Sequence, residues 1–198
     1  MPELVDLLVA IAAGDRRLVR ASLVAAPSSL VTARLPRADE VFIEGHVQVY
    51  EGDTALHAAA FAYDVETARN LLARGADIRA RNRRGAEPLH AATAGGPGSP
   101  TWNPSGQRAI IEFLVGAGAD PNATALGGVT PLHRAVRNRC SAAVETLLRL
   151  GADPRLANDH GSTPADLARW TTGRGGTGSD AAKAEQQVII NTLDHALR

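Results

Sequence analysis

An all-α repeat array is the fold class this sequence predicts, and three observations predict it. The stretch Gly52-Asp-Thr-Ala-Leu-His-Ala-Ala-Ala60 returns as Gly85-Ala-Glu-Pro-Leu-His-Ala-Ala92, Gly128-Val-Thr-Pro-Leu-His-Arg-Ala-Val136 and Gly161-Ser-Thr-Pro-Ala-Asp-Leu-Ala168. The leading glycines are 33, 43 and 33 residues apart, so the underlying period is 33, with ten extra residues in the second interval. A second echo follows in register, as Leu71-Leu-Ala-Arg-Gly-Ala-Asp77, Phe113-Leu-Val-Gly-Ala-Gly-Ala-Asp120 and Leu147-Leu-Arg-Leu-Gly-Ala-Asp153. A chain built this way buries the apolar face of each unit only against its neighbours.

The residue chemistry sets where helices begin and end. Thr130 and Thr163 can accept a backbone N–H bond as N-caps, and Pro131 and Pro164 then occupy the first helical position, where a missing donor costs nothing. A first helix of each unit is therefore expected near residues 54–61, 87–94, 130–137 and 163–170. Gly75, Gly118 and Gly151 follow Leu-rich helical segments and can take the left-handed conformation that ends a second helix. Asn82-Arg-Arg-Gly85 and Asn158-Asp-His-Gly161 supply turn-forming residues between units.

A 33-residue period carrying T-P-L-H-x-A and L-L-x-x-G-A-D resembles the ankyrin repeat. The resemblance implies an all-α solenoid of about five units, each a β-turn finger followed by two antiparallel helices. It implies one domain over residues 1–198, with repeats at about 1–51, 52–84, 85–127, 128–160 and 161–198.

Taken in order, residues 3–30 read as a degenerate capping repeat, with Leu4, Leu7, Leu8 and Ile11 at helical spacing, a turn at Gly14-Asp15, and Leu18, Leu23 and Val24 continuing an apolar face. Residues 31–51 are longer than an ordinary finger. Val31-Thr-Ala-Arg-Leu35 and Val47-Gln-Val-Tyr50 have β-favouring composition, and read either as paired strands of an enlarged finger or as a surface loop. The second repeat carries Val65, Ala68, Leu71 and Leu72 as a core stripe. The third contains the insert Gly95-Gly-Pro-Gly-Ser-Pro-Thr-Trp-Asn-Pro-Ser-Gly106, whose prolines and glycines exclude regular helix, so its second helix is expected from Gln107. The fourth matches the pattern best. The fifth has Ala165 and Asp166 where Leu and His would stand, then a second glycine-rich insert over 171–179, and a closing helix from Asp180 to Leu197 with Val188, Ile189, Thr192 and Leu193 on its apolar side.

The formal net charge is zero and the pI near 7.0, so no global field favours nucleic acid or an anionic membrane. Cys140 is the sole cysteine, and no long apolar run or cleavable leader is evident, so a cytoplasmic location is expected. Asn122-Ala-Thr124 matches a glycosylation sequon that has no meaning without export. Lys183 is the one lysine beside 20 arginines, a bias that fits a GC-rich, bacterial genome.

Candidate chemistry is sparse. His57, His90 and His133 hold the same position in successive repeats. Helix pairs stack at roughly 10 Å, whereas zinc ligands converge within about 2.1 Å of one ion. A hydrogen bond near the helix start is expected of them instead, and no metal or other cofactor. Gly173-Arg-Gly-Gly-Thr-Gly178 matches G-x-G-x-x-G but lacks the preceding strand and βαβ context of a dinucleotide site, leaving at most an anion at a helix start. Arg137 and Arg139 are near enough in sequence to Cys140 to lower a thiol pKa, yet no histidine in its own turn can act as base. Asp166 and His133 could be named an acid–base pair, but occupy one position in different repeats. No catalytic residue is assigned.

Arginine and aromatic residues make the stronger constellation. Aligned on the repeat, Arg83, Arg84, Arg134 and Arg137 fall on the finger tips and exposed first-helix positions by which ankyrin proteins bind, with Arg139 and Arg169 nearby. Tyr50, Phe61 and Trp170 fall there too, and Tyr, Trp and Arg dominate interface energetics. Trp102 is an unusual residue for an insert. The expected function is non-enzymatic binding of a protein partner, one with acidic character, by a monomer, with neither nucleic acid nor membrane involved. The alternative is an enzyme or a receptor for a small anionic ligand, its pocket built by the 95–106 and 171–179 inserts over the first helices.

Overall fold

In a computed structural model, the chain is described over residues 2–25, 27–36, 50–97, 102–173 and 179–198. Its helices are α1 (Pro2–Ala12), α2 (Arg16–Ala25), α3 (Ser28–Thr32), α4 (Ala55–Phe61), α5 (Val65–Ala73), α6 (Pro88–Ala92), α7 (Pro104–Gly116), α8 (Pro131–Arg137), α9 (Ser141–Arg149), α10 (Pro164–Gly173) and α11 (Asp180–Ala196). They pack as antiparallel pairs α1/α2, α4/α5, α6/α7, α8/α9 and α10/α11. The inner members α1, α4, α6, α8 and α10 stack in sequence, as do the outer members from α5 to α11. One continuous core runs through the stack, from Leu4, Leu7 and Leu8 through Leu56, Leu89 and Leu132 to Ile189 and Leu193. No strand occurs among the described residues beyond an isolated Ala125–Val129 bridge.

The caps act where the sequence places them. Thr130 accepts from the His133 N–H, with Pro131 at the first position of α8, and Asp64 caps α5 through the Thr67 N–H. Gly75, Gly118 and Gly151 lie at φ of 91°, 104° and 93°, one residue beyond the C-caps of α5, α7 and α9. Two inner helices depart from expectation. α6 stops at Ala92, where the Thr93 hydroxyl donates to the His90 carbonyl at 2.8 Å and the chain turns into the insert, while α10 continues to Gly173.

Repeats are joined by two bonds in a fixed register. The first links finger to finger through the backbone: Arg83 N to Glu51 O at 2.7 Å, Leu126 N to Arg84 O at 2.8 Å and Asp159 N to Gly127 O at 3.0 Å. Side chains at Gly52 and Gly128 would block that approach, since an added Cβ would lie 3.0 Å from Arg83 N and 2.8 Å from Asp159 N, and both glycines have positive φ. The second bond is the histidine. Nδ1 of His57, His90 and His133 accepts from the backbone N–H of Thr54, Glu87 and Thr130 at 3.2, 3.2 and 3.3 Å. An acceptor at Nδ1 puts the proton on Nε2, which donates to the next repeat's Ala86, Val129 and Ser162 carbonyls, each at 3.0 Å.

Several expectations are corrected. Val31 and Thr32 belong to α3, so the first proposed finger strand does not form there. Leu35 instead exchanges backbone bonds with Gly52 and Asp53 at 2.8 Å each, and residues 37–49, including most of the second proposed strand, lie outside the described set. Helix α7 begins at Pro104 rather than Gln107, because proline suits the first helical position and the Asn103 side chain caps the Gly106 N–H at 3.0 Å. On α2, Val19 and Leu23 are buried while Leu18 and Val24 are exposed; on α11, Val188 is exposed beside buried Ile189 and Leu193.

Where an insert separates inner from outer helix, a buried glutamine bridges the break. Gln107 Nε2 donates to the Ala92 and Ala94 carbonyls at 3.1 Å each, and Gln186 Nε2 donates to the Ala168 carbonyl at 2.5 Å. Both side chains are buried and lie on the outer helix after an insert; Gln107 satisfies carbonyls at the end of the short α6, whereas Gln186 reaches a carbonyl within α10.

The histidine joints make stability depend on pH. Burial lowers the pKa of all three histidines, that of His90 to about 4. The folded chain keeps His90 neutral down to about pH 4, while the unfolded chain protonates near about 6.5. Its contribution is therefore complete above about pH 6.5 and is lost as pH falls toward 4, by about 1.4 kcal/mol for each step of one in pH across that window. NMR at pH 5 should show His90 as the neutral Nε2–H tautomer, and urea unfolding should give lower stability at pH 5 than at pH 7; a His90 midpoint near 6.5 would contradict the joint.

Glu87 stands where the other caps carry threonine. Its Oε1 accepts from Arg81 at 3.2 Å, but Oε2 is buried with no partner among the described residues, and burial raises its pKa against the pull of Arg81. Glu87→Thr should raise the unfolding free energy by about 1 kcal/mol, as expected for removing one unsatisfied buried polar atom; a lower urea midpoint would mean the Arg81 pair outweighs it.

Candidate binding groove

Three repeat positions define the surface between fingers and inner helices. The finger tips are Tyr50, Arg83, Leu126 and Asp159, the helix positions beneath are Ala58, Ala91, Arg134 and Leu167, and one turn further are Phe61, Ala94, Arg137 and Trp170. Small residues in the second and third repeats leave the surface hollow there, and larger ones wall it.

A groove of about 550 Å³ results, lined by Tyr50, Arg83, Arg84, Leu126, Arg134 and Arg137 among others. Beside it a hollow of about 40 Å³ lies between Tyr50 and Phe61, over Ala58, Ala91 and Ala94, and Arg134 borders both. Arg84 lies over the Tyr50 ring, 4.5 Å from its centroid, within cation–π range. Arg83 pairs with Glu51 at 3.0 Å and is well exposed. Arg134 is half-buried and makes no ion pair or side-chain hydrogen bond among the described residues. Burial pulls its pKa below the usual arginine value, opposed by Tyr50, and the charges of Arg137 and Arg84 act in the same direction as burial. Arg137, expected on the groove floor with Arg134, is exposed at its side.

The other expected site residues lie elsewhere. Arg169 pairs with Asp194 of α11, and Arg139 occupies the turn between α8 and α9 at φ 57°. Trp170 is 76% exposed on α10, away from the groove lining. Trp102 folds back on the insert, its Nε1–H donating to Gln107 Oε1 at 3.3 Å. Leu126 was not singled out by sequence. It is 78% exposed at the groove rim, and its equivalence to Arg83 in the repeat register was the signal that would have found it.

The first insert is stitched down at its near end. The Cys140 thiol donates to the Gly95 carbonyl at 2.6 Å, and the Tyr63 hydroxyl donates to the Ala94 carbonyl at 2.5 Å. Arg137 and Arg139 do not lower the Cys140 thiol as the sequence suggested: burial pushes its pKa up to about 12. Asp166 and His133 do not meet as a pair. Asp166 accepts from the Thr163 N–H and hydroxyl at 2.9 and 2.7 Å, capping its own helix, while His133 serves Thr130 and Ser162. Among the described residues no cluster of three or more metal-binding side chains occurs, and no helix is long and apolar enough to cross a membrane. Residues 174–178 of the glycine motif lie outside the described set.

Stacked helix pairs joined by β-turn fingers define a class, and the comparisons agree on it. The family "Ankyrin repeats (3 copies)" matches residues 7–125 and "Ankyrin repeats (many copies)" residues 114–168; the chain belongs to the ankyrin-repeat family. Among similar proteins, mouse ankyrin repeat and SOCS box protein 16 is 37% identical over 71% of this chain and 29% of its own length. Mouse B-cell lymphoma 3 protein homolog is 34% identical over 85% of this chain and 37% of its own length, and zebrafish neurogenic locus notch homolog protein 1 is 32% identical over 57% of this chain and 4% of its own. The chain thus spans well under half of these relatives. They are animal proteins and lend no support to a bacterial source. Ankyrin repeats generally mediate protein–protein interaction and are not typically catalytic.

The insert's packing can be tested directly. A Cβ on Gly96 would lie 2.1 Å from the Asn138 carbonyl oxygen, a backbone atom that cannot step aside. Gly96→Ala should lower the thermal midpoint by several degrees, in line with overpacking costs of about 1–3 kcal/mol. In the native chain Cys140 should react with a thiol-specific disulfide reagent only at the rate of unfolding, and Gly96→Ala should speed that reaction.

Proposed function

We propose that this chain is a non-enzymatic recognition module, a single domain over residues 1–198 that acts as a monomer in the cytoplasm and binds an acidic segment of a protein partner. Arg134 carries the reading. A half-buried guanidinium without a carboxylate partner is costly to keep, and supplying that carboxylate from outside offsets the cost. Arg84 and Arg137 extend the positive surface around it, and Tyr50, Phe61 and Leu126 add apolar contact. Arg139, Arg169, Trp102 and Trp170 are left out of the contact surface, because none lines the groove. Arg83 serves at the rim.

Capture from a lysate of the source organism, run in parallel on wild type and Arg134→Ala, identifies partners that need the groove. With such a partner in hand, Arg134→Ala should raise the dissociation rate and weaken binding by about 2–5 kcal/mol, the range for a desolvated charge pair. Arg83→Ala should slow association and reduce its salt sensitivity. An Arg134→Ala variant that binds every captured partner with wild-type on- and off-rates would remove the groove as the site.

A further inference from the structure

We propose that the groove lined by Arg84, Arg134 and Arg137 beside Tyr50 receives a phosphoryl group carried on a side chain of the partner. The inference rests on the reading that the groove is the partner site, and it names the chemistry that site selects.

Charge balance separates a phosphoryl group from a carboxylate. Several arginines elsewhere are matched, Arg20 with Glu66, Arg81 with Glu87, Arg149 with Glu112 and Arg169 with Asp194, while Arg16, Arg17, Arg79 and Arg108 make no ion pair among the described residues. Arg34 and Arg74 donate to the carbonyls of Arg81 and Leu23. Arg84, Arg134 and Arg137 together line the groove. Its two carboxylates are already engaged, Glu51 by Arg83 at 3.0 Å and Asp53 by Asn82 Nδ2 at 2.8 Å and the Tyr50 N–H at 2.7 Å. Among the described residues Arg84, Arg134 and Arg137 make no ion pair, and Asp53, held by neutral donors, offsets only part of their charge, so excess positive charge lines the groove.

A side-chain carboxylate brings one negative charge and two oxygens, and would leave part of this excess unanswered. A phosphoryl group brings about −1.5 to −2 and three acceptor oxygens, and arginine forks suit it. Recognition of phosphorylated motifs by arginine clusters is a general mode of peptide binding. Two of the three donors are held in place, Arg84 by the Tyr50 ring and Arg134 by its half-buried position on α8. The surroundings favour a side chain over a free anion, because exposed Leu126 on the rim and the Tyr50–Phe61 hollow offer apolar contact that an inorganic ion cannot use.

The test uses the whole chain and three probes: N-acetyl-phosphoserine amide, N-acetyl-glutamate amide and inorganic phosphate. Binding is followed by NMR of the arginine Nε–H groups. The expected result is that Arg84, Arg134 and Arg137 signals shift together, that the phosphoserine amide binds at least tenfold more tightly than the glutamate amide, and that Arg134→Ala removes at least nine-tenths of that affinity. Arg149→Ala, on an outer helix, should leave it unchanged. Since Arg134 makes no structural bond, the variant should fold, which its histidine signals would verify. Equal affinity for the phosphoserine and glutamate amides, or no groove shifts with either, overturns the phosphoryl assignment. Inorganic phosphate binding as tightly as the phosphoserine amide overturns the side-chain source. If these fail while Arg134→Ala still abolishes capture of a partner, the groove stands and only its phosphoryl selectivity falls; if capture is also indifferent to Arg134, both fall.

Discussion

The imidazole joint holds this architecture together. A repeat array has no central core to set the relation between distant parts, so each junction must fix its own geometry. Here one ring does so at both ends. Its Nδ1 accepts from the cap of its own helix and its Nε2 donates to the following finger, at His57, His90 and His133 alike. The bond pattern needs a neutral ring with a defined tautomer, and burial enforces neutrality by penalising the charged form. Helix start, finger position and repeat spacing are thus tied to a single side chain, and the groove inherits its shape from them.

Departures from the repeat are compensated locally. The longer connection in the third repeat shortens α6 to Pro88–Ala92 and leaves carbonyls at its end, which Gln107 reaches from the outer helix. Gln186 bonds the Ala168 carbonyl within α10 from the following outer helix. A polar group buried among apolar neighbours is tolerable only when its partners are fixed, and these glutamines fix the insert as much as the insert fixes them. Cys140 belongs to the same device: its thiol is spent on holding Gly95. Compensation is incomplete at two places, since Glu87 Oε2 and Gln186 Oε1 are buried without a donor among the described residues.

Most of the array could be read from the chain because its signals are local and repeated. Thr-Pro caps, terminal glycines and the 33-residue interval each report on a few neighbouring residues, and four copies reinforce one another. The histidine role was legible for the same reason. What escaped depends on context. Pro104 marks a helix start only once Asn103 is seen to cap it, and composition alone suggested an insert running to Gly106. Val31-Thr-Ala-Arg-Leu35 favours strand by residue type, yet its first residues complete α3 against the stack. For the site, repeat alignment brought Arg83, Arg84, Arg134 and Arg137 to the groove, but alignment cannot say which are already paired. Arg169 is taken by Asp194, whereas Arg134 is not.

Asp166 departs from the histidine joint. It fills the histidine position of the last helix pair and completes the cap of α10 through Thr163. A carboxylate has acceptors for its own cap but no proton to hand forward. At this position the forward Nε2 bond that the three histidines make to the next finger has no equivalent donor. Polarity is written into the joint: donors point one way along the stack at His57, His90 and His133, and Asp166 turns its bonds back onto its own helix start.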